Sequence, residues 1–219
     1  DPAELRLGNR ATPERVDRLR EQLGLNDPLP IRYMRFIGNA LKGDLGESYV
    51  FQGKTVTSLI GPRLLVSVQL NIAASIVALS VGLPLGFYAA KRQGTKTDPA
   101  ILISMLILYA MPVFFTAPFL ILFFAVKLHW VPASGWNGMF STQVILPALT
   151  IGIPGAAIFV RHMRASTLEV IGQEYIRTAH AKGMSNFVIN YRHVARNAFL
   201  PILTLLGFTL AGIFGGSLI

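Results

Sequence analysis

The 219-residue chain contains no cysteine, which excludes disulfide bridges, thiolate catalysis and cysteine-ligated metal sites. Charge is also scarce, since Asp, Glu, Lys and Arg make up 14% of the residues, against about a quarter in a soluble domain. Hydrophobic residues make up 52%, and the mean hydropathy is +0.50. This composition argues against a soluble globular protein and against a disordered chain.

Long stretches without any charged residue dominate the sequence. A transmembrane helix needs about 20 consecutive apolar residues, and these stretches approach or exceed that length. We therefore predict an all-α, polytopic membrane protein. The predicted spans are 64–90, 99–126, 144–160 and 197–219.

The spans contain no Asp, Glu, Lys, Arg or His, which argues against a proton-driven carrier. The chain also lacks the HExxH and GxSxG motifs of common hydrolases. Uncharged polar side chains remain, and they are candidates either for lining a solute pathway or for bonding neighbouring helices. They are Gln69, Asn71, Ser75, Ser104, Tyr109, Thr116 and Thr150.

Proline and small residues recur in the spans. Each proline removes a backbone hydrogen bond, so we predict kinked helices, which suit a path that opens and closes. The candidate kinks are Pro84, Pro112, Pro118, Pro147, Pro154 and Pro201. Small residues spaced by four predict close helix packing. They are Gly82 with Gly86, Ala148 with Gly152 and Ala156, and Gly212 with Gly216.

The positive charges indicate the orientation. Loops 91–99 and 161–196 are rich in Lys and Arg, whereas the loop 127–143 carries only Lys127. Two spans separate the basic loops, so both lie on one side, which the positive-inside rule identifies as the cytoplasm. Residues 1–63 then lie outside, although they carry half of the Lys and Arg, and an upstream membrane anchor is expected.

The external segment carries two helix-start patterns. Thr12 and Pro13 predict one amphipathic helix that Gly24 ends, and Asp27 and Pro28 predict a second. Their apolar faces are Val16, Leu19 and Leu23 on the first and Tyr33, Ile37, Ala40 and Leu41 on the second. We interpret both as a subdomain that caps the membrane helices; a docking surface for a soluble partner is the alternative.

The short sequence Gly53-Lys54-Thr55 is similar to the end of a phosphate-binding loop. The motif requires a glycine five positions before Gly53, and Ser48 stands there. We therefore expect no ATP binding by this chain, and any energy from ATP must arrive through another subunit.

The long basic loop contains a predicted helix, turn and second helix. Residues 169–182 have helical composition, Gly183 stands at a C-cap position, and Ser185 with Asn186 restarts a helix. A mixed stripe on the first helix fits either a partner surface or a helix lying on the bilayer. The stripe is Ile171, Tyr175, Thr178 and Lys182.

Residues 174–183, continuing through Arg192-His193 and 196–198 to Pro201, resemble the cytoplasmic signature of permease subunits of bacterial ABC importers. The resemblance is strongest to the dipeptide, oligopeptide and nickel branch, whose form is RTA-x-AKG followed by RH-x-x-RNA. Against the general signature, EAA-x3-G-x9-I-x-L-P, only Ala179 and Gly183 match strictly. Segments 11–25, 43–46 and 82–86 are similar to the same branch.

The resemblance implies a kinked helix bundle of the type I ABC importer permease kind, with 1–63 as an extracytoplasmic helical segment and 64–219 as the transmembrane domain. Of six family spans, the chain is expected to lack one upstream and two downstream. The helix that ends at Gly183 would be a coupling helix seated in a groove of an ATPase subunit. The matching positions are Glu174, Tyr175, Thr178, Ala179, Lys182 and Gly183.

The implied partners are ABC ATPase subunits that hold ATP and Mg, a second permease subunit, an extracytoplasmic solute-binding protein and the lipid bilayer of the inner (plasma) membrane. No cofactor on this chain and no nucleic acid are expected. Dipeptides, oligopeptides, glutathione and nickel complexes all remain open as solutes. An ion-coupled secondary carrier and a membrane scaffold or enzyme subunit are the alternative functions.

Overall fold

A computed structural model describes residues 1–8, 11–51 and 53–213. They are helical apart from turns and one isolated antiparallel bridge between Glu47 and Thr55, so the predicted all-α class is confirmed. The helices are α1 Pro2–Leu7, α2 Pro13–Gln22, α3 Leu29–Ala40, α4 Val56–Lys91, α5 Thr97–Ala110, α6 Val113–Leu120, α7 Ile145–Ile171, α8 Glu174–Ala181, α9 Asn186–Val188, α10 Arg196–Ala198 and α11 Leu200–Ile213. Two π-helical segments, Ile121–Lys127 and Ile189–Ala195, continue α6 and α9, and a 3₁₀ turn, Thr142–Val144, precedes α7.

The chain divides into two compact units, Asp1–Leu65 and Val66–Ile219. In the first unit, α2 begins with Thr12 at the N-cap and Pro13 at the first helical position, which confirms that prediction. Helix α3 begins one residue later than its pattern predicts, because Pro28 takes the N-cap position. Val16 of α2 is buried, whereas most of the large apolar side chains of α3 are exposed.

In the second unit, α4 and the segment Thr142–Ile171 are each long and apolar enough to cross a membrane. The predicted span 99–126 forms two helices, α5 and α6 with its π-helical continuation, which are bent by 96°. Helix α7 continues beyond the predicted end at residue 160 as far as Ile171. Residues 214–219 of the last predicted span, including Gly216, lie outside the described residues.

Proline has different effects in these helices. Pro112 lies at the bend and caps α6, so α5 ends before it. Helices α4, α6 and α7 continue through Pro84, Pro118 and Pro154 respectively. The sequence pattern therefore identifies the bend at Pro112 but does not distinguish it from the prolines that helices accommodate.

Glycine brings α4 and α7 into backbone contact. A Cβ atom added to Gly86 would lie 2.6 Å from the carbonyl oxygen of Val160, and one added to Gly152 would lie 2.6 Å from that of Ala74. Neither residue could carry a side chain without moving a helix. The predicted close packing of small residues is thus confirmed for these positions.

Candidate functional site

The helix that the sequence predicts over residues 169–182 is interrupted in the structure. Glu169 belongs to α7, which ends at Ile171, and α8 begins only at Glu174 with Gln173 at its N-cap. Glycine is a weak helix former, and Gly172 lies at this break. The corrected site is therefore a short helix, α8, that follows α7 after a two-residue connection.

Helix α8 is held by an apolar contact with the segment that follows it. Ile176 and Ala179 on its inner face are buried together with Ile189 and Val194. These two α8 residues are three positions apart and therefore share one helix face. The contact fixes which face of α8 points outward.

Ala179 is buried, whereas the other five predicted coupling residues are exposed. The resemblance places it at a partner contact, but its side chain is 5% exposed and packs within the chain's own cluster. Its small size allows α8 to lie close to the segment that follows. A contact between Ala179 and a partner subunit stays a prediction.

The other predicted coupling residues lie on the surface. Glu174, Tyr175, Thr178, Lys182 and Gly183 are all exposed. The Thr178 hydroxyl donates to the carbonyl oxygen of Glu174 at 3.1 Å, and the Tyr175 hydroxyl accepts from the Asn197 side-chain amide at 3.2 Å. These residues form one outward surface, here called the α8 surface.

The turn after α8 is formed as the sequence predicts. Gly183 has φ +72°, a conformation that favours glycine, and its N–H donates to the carbonyl oxygen of His180 at 2.9 Å. Ser185 then caps the next helix, because its side-chain oxygen accepts from the N–H of Val188. Lys182 is the C-cap residue and Gly183 follows it, so the helix ends one residue before the predicted glycine, while the restart at Ser185 is confirmed.

The predicted pathway residues are not gathered around one site. Asn71 donates to the carbonyl oxygen of Ser67 on its own helix, and Gln69 is half-buried on α4. Ser104 and Tyr109 on α5 are exposed, and the Tyr109 ring lies 5.9 Å from the guanidinium carbon of Arg161. The structure therefore leaves their role as a prediction.

A cavity of about 380 Å³ lies beside the bend between α5 and α6. The predicted pathway residue Thr116 lines it, together with Thr150 of α7. Both hydroxyls bond within their own helices, to the carbonyl oxygens of Val113 at 3.3 Å and Leu146 at 2.7 Å. The remaining lining is apolar and includes Leu108, Met111, Phe115, Phe119, Leu149 and Ile153.

Asp98 and Arg164, which the sequence presents only as loop charges, form an ion pair between α5 and α7. The Arg164 guanidinium donates to both carboxylate oxygens of Asp98, at 2.6 Å each, and Asp98 is 5% exposed. The signal in the sequence is a pair of opposite charges next to two successive spans. The pair fixes the first turn of α5 against α7.

No group of three or more His, Asp or Glu side chains that could hold a metal ion occurs in the part of the chain that the structure describes.

Comparison with known proteins gives two matching families. Residues 82–219 match the family described as the binding-protein-dependent transport system inner membrane component, and residues 1–69 match the N-terminal family of the same systems. A probable peptide ABC transporter permease of Sinorhizobium fredii is 37% identical over 222 residues, covering 99% of this chain and 71% of the relative.

Two further relatives are named oligopeptide transport system permeases. OppB of Haemophilus influenzae is 37% identical over 94% of this chain and 68% of its own length. AppB of Bacillus subtilis is 34% identical over 100% of this chain and 72% of its own length.

Proposed function

Because this chain belongs to the family of binding-protein-dependent transport system inner membrane components, we propose that it is the permease subunit of an ATP-driven importer of peptides. The observation that carries the proposal is the likeness to proteins named peptide or oligopeptide permeases, which extends over 94% or more of the chain. The chain is a transport subunit of the membrane rather than an enzyme.

The α8 surface is the proposed contact with a separate ATPase subunit that binds ATP and Mg. The burial of Ile176 and Ala179 supports this role, since it holds α8 in one orientation and leaves Tyr175, Thr178 and Lys182 outward. A phenol ring, a hydroxyl and an ammonium group provide apolar area with polar contacts at its edge, as interfaces commonly do. Closure of the ATPases would then move α8 and, through it, α7.

The proposed topology places α8 in the cytoplasm and residues 1–63 outside. The excess of Lys and Arg in loops 91–99 and 161–196 supports it. A second permease subunit would complete the pathway, and an extracytoplasmic binding protein would deliver the peptide. The family's description as a binding-protein-dependent system supports the binding protein, and the second permease subunit is part of the proposal.

The test is co-purification of the complete permease with its ATPase, followed by ATP hydrolysis in the presence of peptide and binding protein. Lys182→Glu and Thr178→Asp on the α8 surface should weaken association or stimulation by at least about tenfold, as expected for a central interface residue. Lys127→Glu is the matched control, because Lys127 is also exposed and lies on the opposite predicted side.

Ala179→Asp is unsuitable here, since it would place a charge in a buried cluster and unfold the loop. An ATPase that does not associate with the wild type, together with peptide uptake driven by an ion gradient, would contradict the proposal and favour a secondary carrier. Loss of coupling in Lys127→Glu as large as in Lys182→Glu would remove α8 as the coupling element.

A further inference from the structure

The bend between α5 and α6 interrupts the pattern of helical backbone hydrogen bonds. Pro112 has no N–H, so the carbonyl oxygen of Leu108 lacks its usual helical donor, and Met111 is extended with ψ 121°. Helix α5 has 14 residues and is about 21 Å long at 1.5 Å per residue. The bend therefore lies within the hydrocarbon thickness of about 30 Å, counted from the charged residues before Thr97.

Irregular backbone at this depth does not face lipid, because unpaired carbonyl groups are costly in hydrocarbon. It occurs where it lines a water-filled cavity or is covered by protein. The cavity of about 380 Å³ opens on this side of the bend, and Leu108 and Met111 are part of its wall. Its volume is within the range of about 300–1,000 Å³ that small-molecule sites have.

The wall of the cavity makes few polar demands. The hydroxyls of Thr116 and Thr150 are bonded to carbonyl oxygens of their own helices, so an apolar guest leaves neither hydroxyl unpaired. The remaining side chains include Met111 and Phe115, of which methionine is unbranched and adapts to different shapes. Such a site accepts apolar groups of varied form and discriminates weakly among them.

A smaller cavity of about 90 Å³ lies next to the first, and Thr150 lines both. Gln143 lines the smaller cavity, and its Oε1 atom is buried with no hydrogen-bond partner among the described residues. A buried acceptor without a donor is costly, and a ligand or water that brings an N–H or O–H would satisfy it. An apolar cavity beside an unpartnered acceptor matches the chemistry of a peptide, which carries side chains on a backbone of N–H donors.

We propose that the cavity of about 380 Å³ beside the bend between α5 and α6 is a subsite of the peptide pathway. An apolar side chain of the transported peptide enters this cavity, and a peptide N–H donates to Gln143 Oε1. This inference rests on the proposed function. The occupant is then a peptide. A lipid chain and a side chain of the second permease subunit are the competing occupants, and the first experiment distinguishes them from a peptide.

The first experiment is photo-crosslinking in the complete, assembled transporter. Phe115 lines the cavity, whereas its neighbour Phe114 is 82% exposed and does not, so p-benzoylphenylalanine placed at each position gives a matched pair. A labelled peptide rich in phenylalanine should crosslink at position 115 during turnover and at least about tenfold less at position 114, a preference of the size that hydrophobic pockets achieve. Crosslinks from position 115 to lipid or to the second permease, with none to peptide, would overturn the inference.

The second experiment measures selectivity and includes a conservative rescue. Phe115→Ala should change the uptake ratio of triphenylalanine to trialanine by about tenfold, and Phe114→Ala should leave it unchanged. Gln143→Leu should raise KM for both peptides, while Gln143→Glu, which keeps an acceptor, should restore it. Equal ratios in the two phenylalanine variants, or an unchanged KM in Gln143→Leu, would overturn the subsite.

The two proposals fail in different ways. If the wild-type transporter takes up these peptides with ATP and the variants behave alike, the subsite is wrong and the proposed function stands. If the wild-type transporter takes up no peptide while it hydrolyses ATP with another solute, the proposed function is itself wrong.

Discussion

Helix α7 packs in two different ways on its two sides. Toward α4 it presents Gly152, where an added Cβ atom would lie 2.6 Å from the carbonyl oxygen of Ala74. Toward α6 it presents Leu149 and Ile153, which border a cavity of about 380 Å³. The three residues lie within five positions of one helix, so depth in the membrane does not explain the contrast.

The contrast follows from which residues stand on each face. Small residues on the α4 side let two backbones touch, and such a contact has one arrangement. Large side chains on the α6 side meet a chain that Pro112 has turned away, and the gap remains open. A transport subunit needs both kinds of contact, one that holds the helices together and one that leaves space for a solute.

The largest expected effect on stability concerns the first turn of α5, which an ion pair fixes to α7. Asp98→Asn removes the charge partner of Arg164, whose side chain is 24% exposed. We expect the free energy of unfolding to fall by about 3 kcal/mol, near the lower end of the cost of breaking a buried pair. Circular dichroism, recorded while the complete protein is unfolded in detergent, measures this loss of stability.

Glu174→Gln is the matched control for that substitution. It breaks the Arg177–Glu174 pair, whose side chains are 72% and 83% exposed, and should cost less than about 0.5 kcal/mol. Equal losses in the two variants would mean that the α5–α7 pair contributes no more than a surface contact.

The next largest effect tests the close contact between α7 and α4 directly. Gly152→Ala adds one methyl group against backbone that cannot withdraw, and we expect a loss of about 1–3 kcal/mol. Gly155→Ala is the control on the same helix, because its Cβ atom would lie 3.7 Å from that of Ala78, an ordinary contact. The control should be neutral or stabilise by up to about 1 kcal/mol. Similar stability of both variants would show that α4 and α7 are not in direct backbone contact at Gly152.

A smaller effect is expected at the turn after α8. Gly183 has φ +72° and open space around it, so Gly183→Ala strains the backbone without a clash. The expected local cost is about 1 kcal/mol, with faster amide hydrogen exchange around the turn. Gly183→Asn should recover part of it, since asparagine adopts this conformation more readily than alanine. Unchanged exchange in Gly183→Ala would contradict this account of the turn.

The smallest effect on stability is expected on the side of α7 that borders the cavity. Leu149→Phe enlarges a side chain that borders the cavity, and we expect a change of less than about 1 kcal/mol, because the added atoms have room. The variant adds more atoms than Gly152→Ala and should nevertheless cost less. A larger loss from Leu149→Phe than from Gly152→Ala would reverse the comparison.

Local signals predict the features that depend on one residue's chemistry. Thr12 and Pro13 begin α2, Gly183 ends the α8 turn with positive φ, and Ser185 caps the next helix. The small residues at spacings of four likewise predict a close helix contact, and Gly86 lies in one. These features need no knowledge of which helices become neighbours.

The remaining features depend on which segments meet. Pro112 and Pro154 look alike in sequence, yet one lies at a 96° bend and the other inside a continuous helix, because neighbouring segments decide whether a lost hydrogen bond is tolerated. Ala179 is one of the predicted coupling positions of α8 but is covered by the segment around Ile189. The Asp98–Arg164 pair joins residues 66 positions apart, which no local pattern indicates.

The most direct test of the central claim is uptake of a labelled peptide by proteoliposomes that contain the complete permease, its partner permease, the ATPase subunits and the binding protein. We predict uptake that requires ATP on the side of the membrane where the ATPase subunits lie and that continues when proton and sodium gradients are collapsed. Uptake that follows an ion gradient without ATP would contradict it.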